Sequence, residues 1–130
     1  VGTVRVICIE DDAELGDNLA ELLAAEGFAP TVVATGREGI ARALADPPDV
    51  ILCDFLLPDM DGRSVIDAVR AHHRTLAVPF VFVTARAERS ALRDAIDLGA
   101  AAYLTKPFTC ADLVRTVRAC AQRPPGARGL

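Results

Sequence analysis

Five short apolar runs, most of them continuous rather than alternating, decide what this 130-residue chain folds into: Val4 to Ile9, Ala29 to Val33, Val50 to Cys53, Phe80 to Val83 and Ala101 to Leu104. A strand with one wet face alternates apolar and polar residues, whereas a strand covered on both faces reads as an unbroken apolar stretch, the mark of a parallel sheet. Between the runs, apolar residues recur at helical spacing. Leu15, Leu19, Leu22 and Leu23 do so first, then Ile40, Ala41 and Leu44, then Val65, Ile66 and Val69, then Leu92, Ala95 and Ile96, and last Leu113, Val114, Val117, Cys120 and Ala121. The order is a strand and a helix repeated five times. Right-handed crossovers then place helices on both faces of one five-stranded sheet, a doubly wound α/β fold.

Boundary residues agree with that division. Thr35-Gly-Arg-Glu38 is a capping box for the second helix, Thr109 suits the start of the last, and Gly27 and Gly99 fall where the first and fourth helices should stop. Pro30 inside the second strand suits an edge position, where its missing N–H costs no ladder bond. After Gln122 the periodicity ends in Arg-Pro-Pro-Gly-Ala-Arg-Gly-Leu, so we expect one domain over residues 1–122 and a linker stub or disordered tail over 123–130.

Composition narrows the function classes. One domain of this length buries roughly two thirds of its unfolded surface and needs no disulfide staple. The net charge is −4, with no basic block, so direct nucleic-acid binding by this domain is not expected. No apolar run reaches the roughly 18 residues of a membrane span and no signal-peptide pattern opens the chain, which reads as cytoplasmic. The chain opens on Val1 rather than Met, as expected of a processed or excised piece. Cys8, Cys53, Cys110 and Cys120 lack Cys-x-x-Cys spacing, and the first two sit in apolar runs as small hydrophobes. Among the 14 basic residues, 13 are Arg and one, Lys106, is Lys.

In doubly wound sheets the site lies at the carboxyl ends of the strands. There the first run is followed by Glu10, Asp11 and Asp12, the third by Asp54, the fourth by Thr84, and the fifth by Thr105, Lys106 and Pro107. Asp12 reads as a helix cap. Glu10, Asp11 and Asp54 together carry a charge of about −3, which like carboxylates resist unless a cation sits among them. An all-oxygen set without His or Cys points to Mg²⁺. Asp54 ends a buried strand, where a carboxylate is expensive unless it binds a cation or does chemistry. A carboxylate can attack phosphorus to give an aspartyl phosphate. The added charge then calls for a further cation, and the compact ammonium of Lys106 suits a point contact to one phosphoryl oxygen. Thr84 could donate its hydroxyl to such an oxygen.

With these residues in place, the chain resembles the receiver domain of two-component response regulators, of the chemotaxis-regulator type. The resemblance rests on Ile9-Glu-Asp-Asp12, Asp54-Phe-Leu-Leu-Pro58 with Asp61-Gly62, Val83-Thr-Ala85, Gly99 and Tyr103-Leu-Thr-Lys-Pro-Phe108, and runs from Arg5 to about Gln122. It implies a flavodoxin-like strand order 2-1-3-4-5 and a phosphorylation-activated switch rather than an enzyme, with at most self-catalysed phosphorylation and dephosphorylation. Asp54 would accept the phosphoryl group from a sensor histidine kinase, a histidine phosphotransfer protein or a small phosphodonor. Asp11 would ligate Mg²⁺ directly and Glu10 through water, with Asp54 and the backbone carbonyl of Leu56 completing the protein ligands. Lys106 would contact the phosphoryl group, with a cis peptide before Pro107. Thr84 and Tyr103 would form the switch pair, and Leu56 and Arg86 would tune phosphoryl lifetime. The readout face would be helix four, strand five and helix five, which could also pair two copies of the domain. Arg86, Glu88, Arg89, Arg93, Asp94 and Asp97 give that region a mixed polar surface.

The same resemblance leaves room for a receiver excised from a hybrid sensor kinase. Two other classes share a parallel sheet. A Mg²⁺-dependent aspartyl-phosphate hydrolase wants a second acid two residues after its nucleophile, where this chain has Leu56. A flavodoxin-type binder needs a Ser/Thr/Gly phosphate loop after strand one, where this chain has three acids. His72 and His73 are expected on the surface at the pole opposite the acidic rim.

Overall fold

In the computed structural model the described residues are 2–85 and 89–122, with the backbone alone for 89–92. Strands β1 (Arg5–Ile9), β2 (Ala29–Val33), β3 (Val50–Asp54), β4 (Phe80–Thr84) and β5 (Ala102–Thr105) alternate with helices α1 (Ala13–Ala25), α2 (Gly36–Ala45), α3 (Gly62–Arg70), α4 (Arg89–Asp97) and α5 (Cys110–Ala121). The strands form one parallel sheet in the order β2-β1-β3-β4-β5. Pro30 thus lies on an edge strand, as expected, opposite Val6. The expected tail, 123–130, and Arg86 lie outside the described residues.

Side chains on successive residues of a strand point to opposite faces, and the two faces build two cores. Val6 and Cys8, Val50 and Leu52, Val81 and Val83, and Leu104 pack with Leu19, Leu23, Leu113 and Val117 under α1 and α5. Ile7 and Ile9, Ile51 and Cys53, and Phe80 and Phe82 pack with Ala43, Val65, Ile66, Val69 and Ala95 under α2, α3 and α4. This double coverage is why the runs of the inner strands β1, β3 and β4 carry no polar alternation over their buried residues.

The helix ends follow the capping residues. Asp12, Thr35, Asp61 and Thr109 each accept a backbone N–H three residues on, from Leu15, Glu38, Ser64 and Asp112. Gly27 and Gly99 adopt φ values of 91° and 89° after α1 and α4, in the left-handed region that favours glycine.

Two helices contact the sheet differently from the expected pattern. In α2 the buried stripe is Gly36, Gly39 and Ala43, with Ala41 exposed, because Ile9 of β1 fills the space a Cβ on Gly39 would need. In α4, Ala95 is buried but Ile96 is 63% exposed, since neighbours on a helix point about 100° apart; the side chain of Leu92, the third expected position, lies outside the described residues. His72 and His73 stack at 4.8 Å in the turn beyond α3, at the expected pole but with His72 partly buried.

Candidate functional site

Four strand ends converge at one rim of the sheet. The N–H of Glu10 donates to Val33 O at 2.9 Å, carrying the β1–β2 ladder one residue past β1 and fixing where the acidic run begins. Asp54 is the last residue of β3, paired with Val83, and the N–H of Phe55 donates to Val83 O at 3.1 Å. Carboxylate oxygens of Glu10, Asp11 and Asp54 consequently lie within 4.8 Å of one another. Glu10 is buried, Asp54 partly buried and Asp11 exposed. Asp12 turns away to cap α1, as the sequence predicts.

Lys106 reaches this cluster from β5. Its N–H donates to Thr84 O at 2.7 Å, which prolongs the β4–β5 pairing to the rim. Its Nζ donates to Glu10 Oε1 at 2.9 Å and to Asp54 Oδ2 at 3.3 Å. The Lys106–Pro107 peptide is cis, as expected. Glu10 Oε2 accepts the Asp12 N–H at 3.1 Å, so both oxygens of this buried carboxylate have partners.

Charge and burial pull against each other here. Burial pushes the Glu10 carboxyl above its ordinary range, a rise that the Lys106 bond and the Asp12 N–H oppose and the Asp54 charge reinforces. Burial lowers the Lys106 ammonium, but its bond to Glu10 and the charge of Asp54 outweigh it and raise the pKa. Three carboxylates facing one ammonium leave the cluster short of positive charge. Hard oxygen donors with an exposed member at the mouth fit Mg²⁺, which keeps several waters and uses few carboxylates.

Of the remaining predicted residues, Thr84 ends β4, Tyr103 lies in β5 and Leu56 follows β3 by two residues. Thr84 is buried, one of three buried polar or charged residues among those described, with Glu10 and Thr75. Thr75 lies at the other pole, where its hydroxyl donates to Val69 O at 2.6 Å. Tyr103 pairs with Phe82 and Thr84 with Thr105, so alternation puts Thr84 and Tyr103 on the same face of adjacent strands, that of α3 and α4. Leu56 stands two residues after Asp54 with 69% of its surface exposed, unusual for a leucine and at the lip of the site.

The family model of the response regulator receiver domain matches residues 6–118. The chain belongs to that family. Sensory transduction protein RegX3 of Mycolicibacterium smegmatis is 37% identical over 118 residues, which cover 91% of this chain and 50% of that protein. This receiver therefore spans about half the length of such relatives. Among solved structures, chemotaxis response regulator CheY4 of Vibrio cholerae superposes with a TM-score of 0.87 at 25% identity, covering 92% of this chain and 99% of that one. The receiver domain of sensor histidine kinase PA1611 from Pseudomonas aeruginosa, solved with magnesium coordinated in its active-site cleft, gives 0.86 at 28% identity, with 94% and 100% covered.

One residue of this receiver's rim escapes a reading by strand ends. Asp59, in the loop between β3 and α3, accepts the N–H groups of Gly36 and Arg37 at 2.9 Å each. The first turn of α2 thus takes a second cap from a residue more than twenty positions away. Local capping signals sit within three residues of a helix start, so sequence pattern held no signal for it.

Proposed function

We propose that this receiver is the phosphorylation-activated switch of a two-component phosphorelay, with Asp54 as the phosphoacceptor. The convergence of Glu10, Asp11 and Asp54 on the ammonium of Lys106 carries this reading. A carboxylate oxygen of Asp54 forms the new P–O bond while the P–N bond of a phosphohistidine, on a sensor histidine kinase or a histidine phosphotransfer protein, breaks. Asp11, Asp54 and the backbone carbonyl of Leu56 would hold Mg²⁺ directly and Glu10 through water. When bound, Mg²⁺ supplies Lewis-acid stabilisation of charge on the phosphoryl oxygens.

Lys106 neutralises one phosphoryl oxygen as a point charge on a flexible stem. Its bonds to Glu10 and Asp54 hold it at the acceptor before the phosphoryl group arrives. The new charge recruits the hydroxyl of Thr84, and Tyr103, on the same face, repacks with it, which biases α4, β5 and α5 toward a second arrangement. That face is the readout surface and the site of possible homodimer formation; Arg93, Asp94 and Asp97 are exposed on it. Leu56 shields the route of attacking water and, with Arg86, tunes phosphoryl lifetime. The receiver works in the cytoplasm as one unit ending near residue 122, as a regulatory domain rather than an enzyme. No helix among the described residues is long and apolar enough to cross a membrane.

The direct test is incubation with Mg²⁺ and acetyl phosphate, followed by intact-mass measurement. One hydroxylamine-labile phosphate is expected on the parent and none on Asp54→Asn; modification that persists in the Asn variant removes Asp54 from the role.

A further inference from the structure

The loop that follows the acceptor, residues 55–62, is held shut at its base. The Gly62 N–H donates to Phe55 O at 2.6 Å, Leu56 and Asp61 form an antiparallel bridge, and the Leu57 N–H donates to Met60 O at 3.2 Å. A Cβ on Gly62 would stand 2.8 Å from Phe82 Cε1 and 3.1 Å from Phe55 Cα, so the base closes tightly against β4. The tip has a different anchor. Asp59 spans the gap to α2 and uses both carboxylate oxygens, Oδ1 on Gly36 N–H and Oδ2 on Arg37 N–H. Met60, the next residue, lies against Gly36, where a Cβ would meet its side chain.

A carboxylate at a helix N-terminus that takes two N–H groups in parallel is held by charge-assisted bonds and by the helix dipole. Those bonds also keep the Asp59 carboxyl below its ordinary pKa. Asp59 is not needed merely to start α2, because Thr35 already accepts the Glu38 N–H at 3.1 Å. What Asp59 adds to the apolar contact of Met60 with Gly36 is a directional, charge-assisted tie between the two loops.

We propose that Asp59 is a positioning residue for the metal centre: by tying the tip of the β3–α3 loop to the N-terminus of α2, it sets the placement of Leu56 and thereby the affinity of the site for Mg²⁺. The inference rests on the metal ligation proposed above. It gives α2, which contributes no ligand, a part in holding the ion, since groups that orient ligands shape affinity from outside the coordination shell.

The test titrates Mg²⁺ into unphosphorylated protein by calorimetry, with amide hydrogen exchange as a second readout. Asp59→Ala should weaken Mg²⁺ binding by roughly three- to tenfold, at or below the usual effect of losing an orienting partner, and should speed exchange at Leu57 and Gly62. Asp59→Asn, which keeps one acceptor oxygen, should recover part of the affinity. Thr35→Ala removes the local cap of the same helix and should leave the affinity within twofold of the parent. Equal affinity in the parent and Asp59→Ala, or an equal loss in Thr35→Ala, overturns the inference while leaving the acceptor assignment intact. A parent that binds no Mg²⁺ overturns both.

Discussion

Lys106 is the one lysine among thirteen arginines, and the atoms it touches explain the choice of an amine. A single nitrogen reaches Glu10 Oε1 and Asp54 Oδ2 from β5, a point contact that a planar guanidinium would have to make edge-on. Because its pKa is raised above 10.5, the ammonium contributes stability that is present in full below pH 10.5 and is lost as pH climbs through its folded value. Lys106→Met removes the partner that pulls Glu10 down, so the Glu10 carboxyl rises further above 4.5. In chelator-treated buffer the variant should be less stable than the parent by about 1–3 kcal/mol at neutral pH, the cost of a buried acceptor oxygen that loses its donor. Urea midpoints should converge as pH falls through the raised folded values of Glu10 and this carboxyl becomes neutral in both proteins. A gap that stays constant with pH would assign the loss to packing instead.

At the scale of elements, the strands were the most legible part of the sequence and the helix faces the least. Apolar runs locate all five strands to within a residue, most of them unbroken because burial on both faces suppresses alternation, while the half-exposed edge strand β2 carries Pro30 and Thr31 inside its run. Helix faces depend on what the sheet offers beneath them, so Ile9 selects glycines in α2 and α4 leaves Ile96 in solvent. The rim acids and Lys106 were readable because strand ends share one pole, whereas the Asp59 tie joins two loops through backbone amides that carry no sequence mark. Helix caps behave as local terms, which the last helix can test. Thr109→Ala should cost about 1 kcal/mol of stability by urea denaturation, the usual effect of a lost N-cap. The same variant should label with acetyl phosphate as the parent does, since α5 starts four residues beyond Lys106.

For the whole molecule, ion binding and folding are linked because the cluster exists only in the native sheet. Free Mg²⁺ at a hundredfold excess over its dissociation constant should raise the unfolding free energy by about 2.7 kcal/mol by mass action. Removing the ion with EDTA should return the urea midpoint to its starting value, and Asp11→Asn combined with Asp54→Asn should make the midpoint indifferent to Mg²⁺. A shift that survives in the double variant would place the ion elsewhere.

The Lys106–Glu10 contact joins residues 96 positions apart, and Lys106 directly follows β5, an edge strand that among the described residues pairs with β4 alone. A chain under synthesis therefore displays its acidic residues long before the ammonium that answers them. Until the segment bearing Lys106 emerges and docks, the nascent chain carries the carboxylates of Glu10, Asp11 and Asp54 without the ammonium that pairs with two of them. The charge balance of the cluster thus comes only with completion of the sheet.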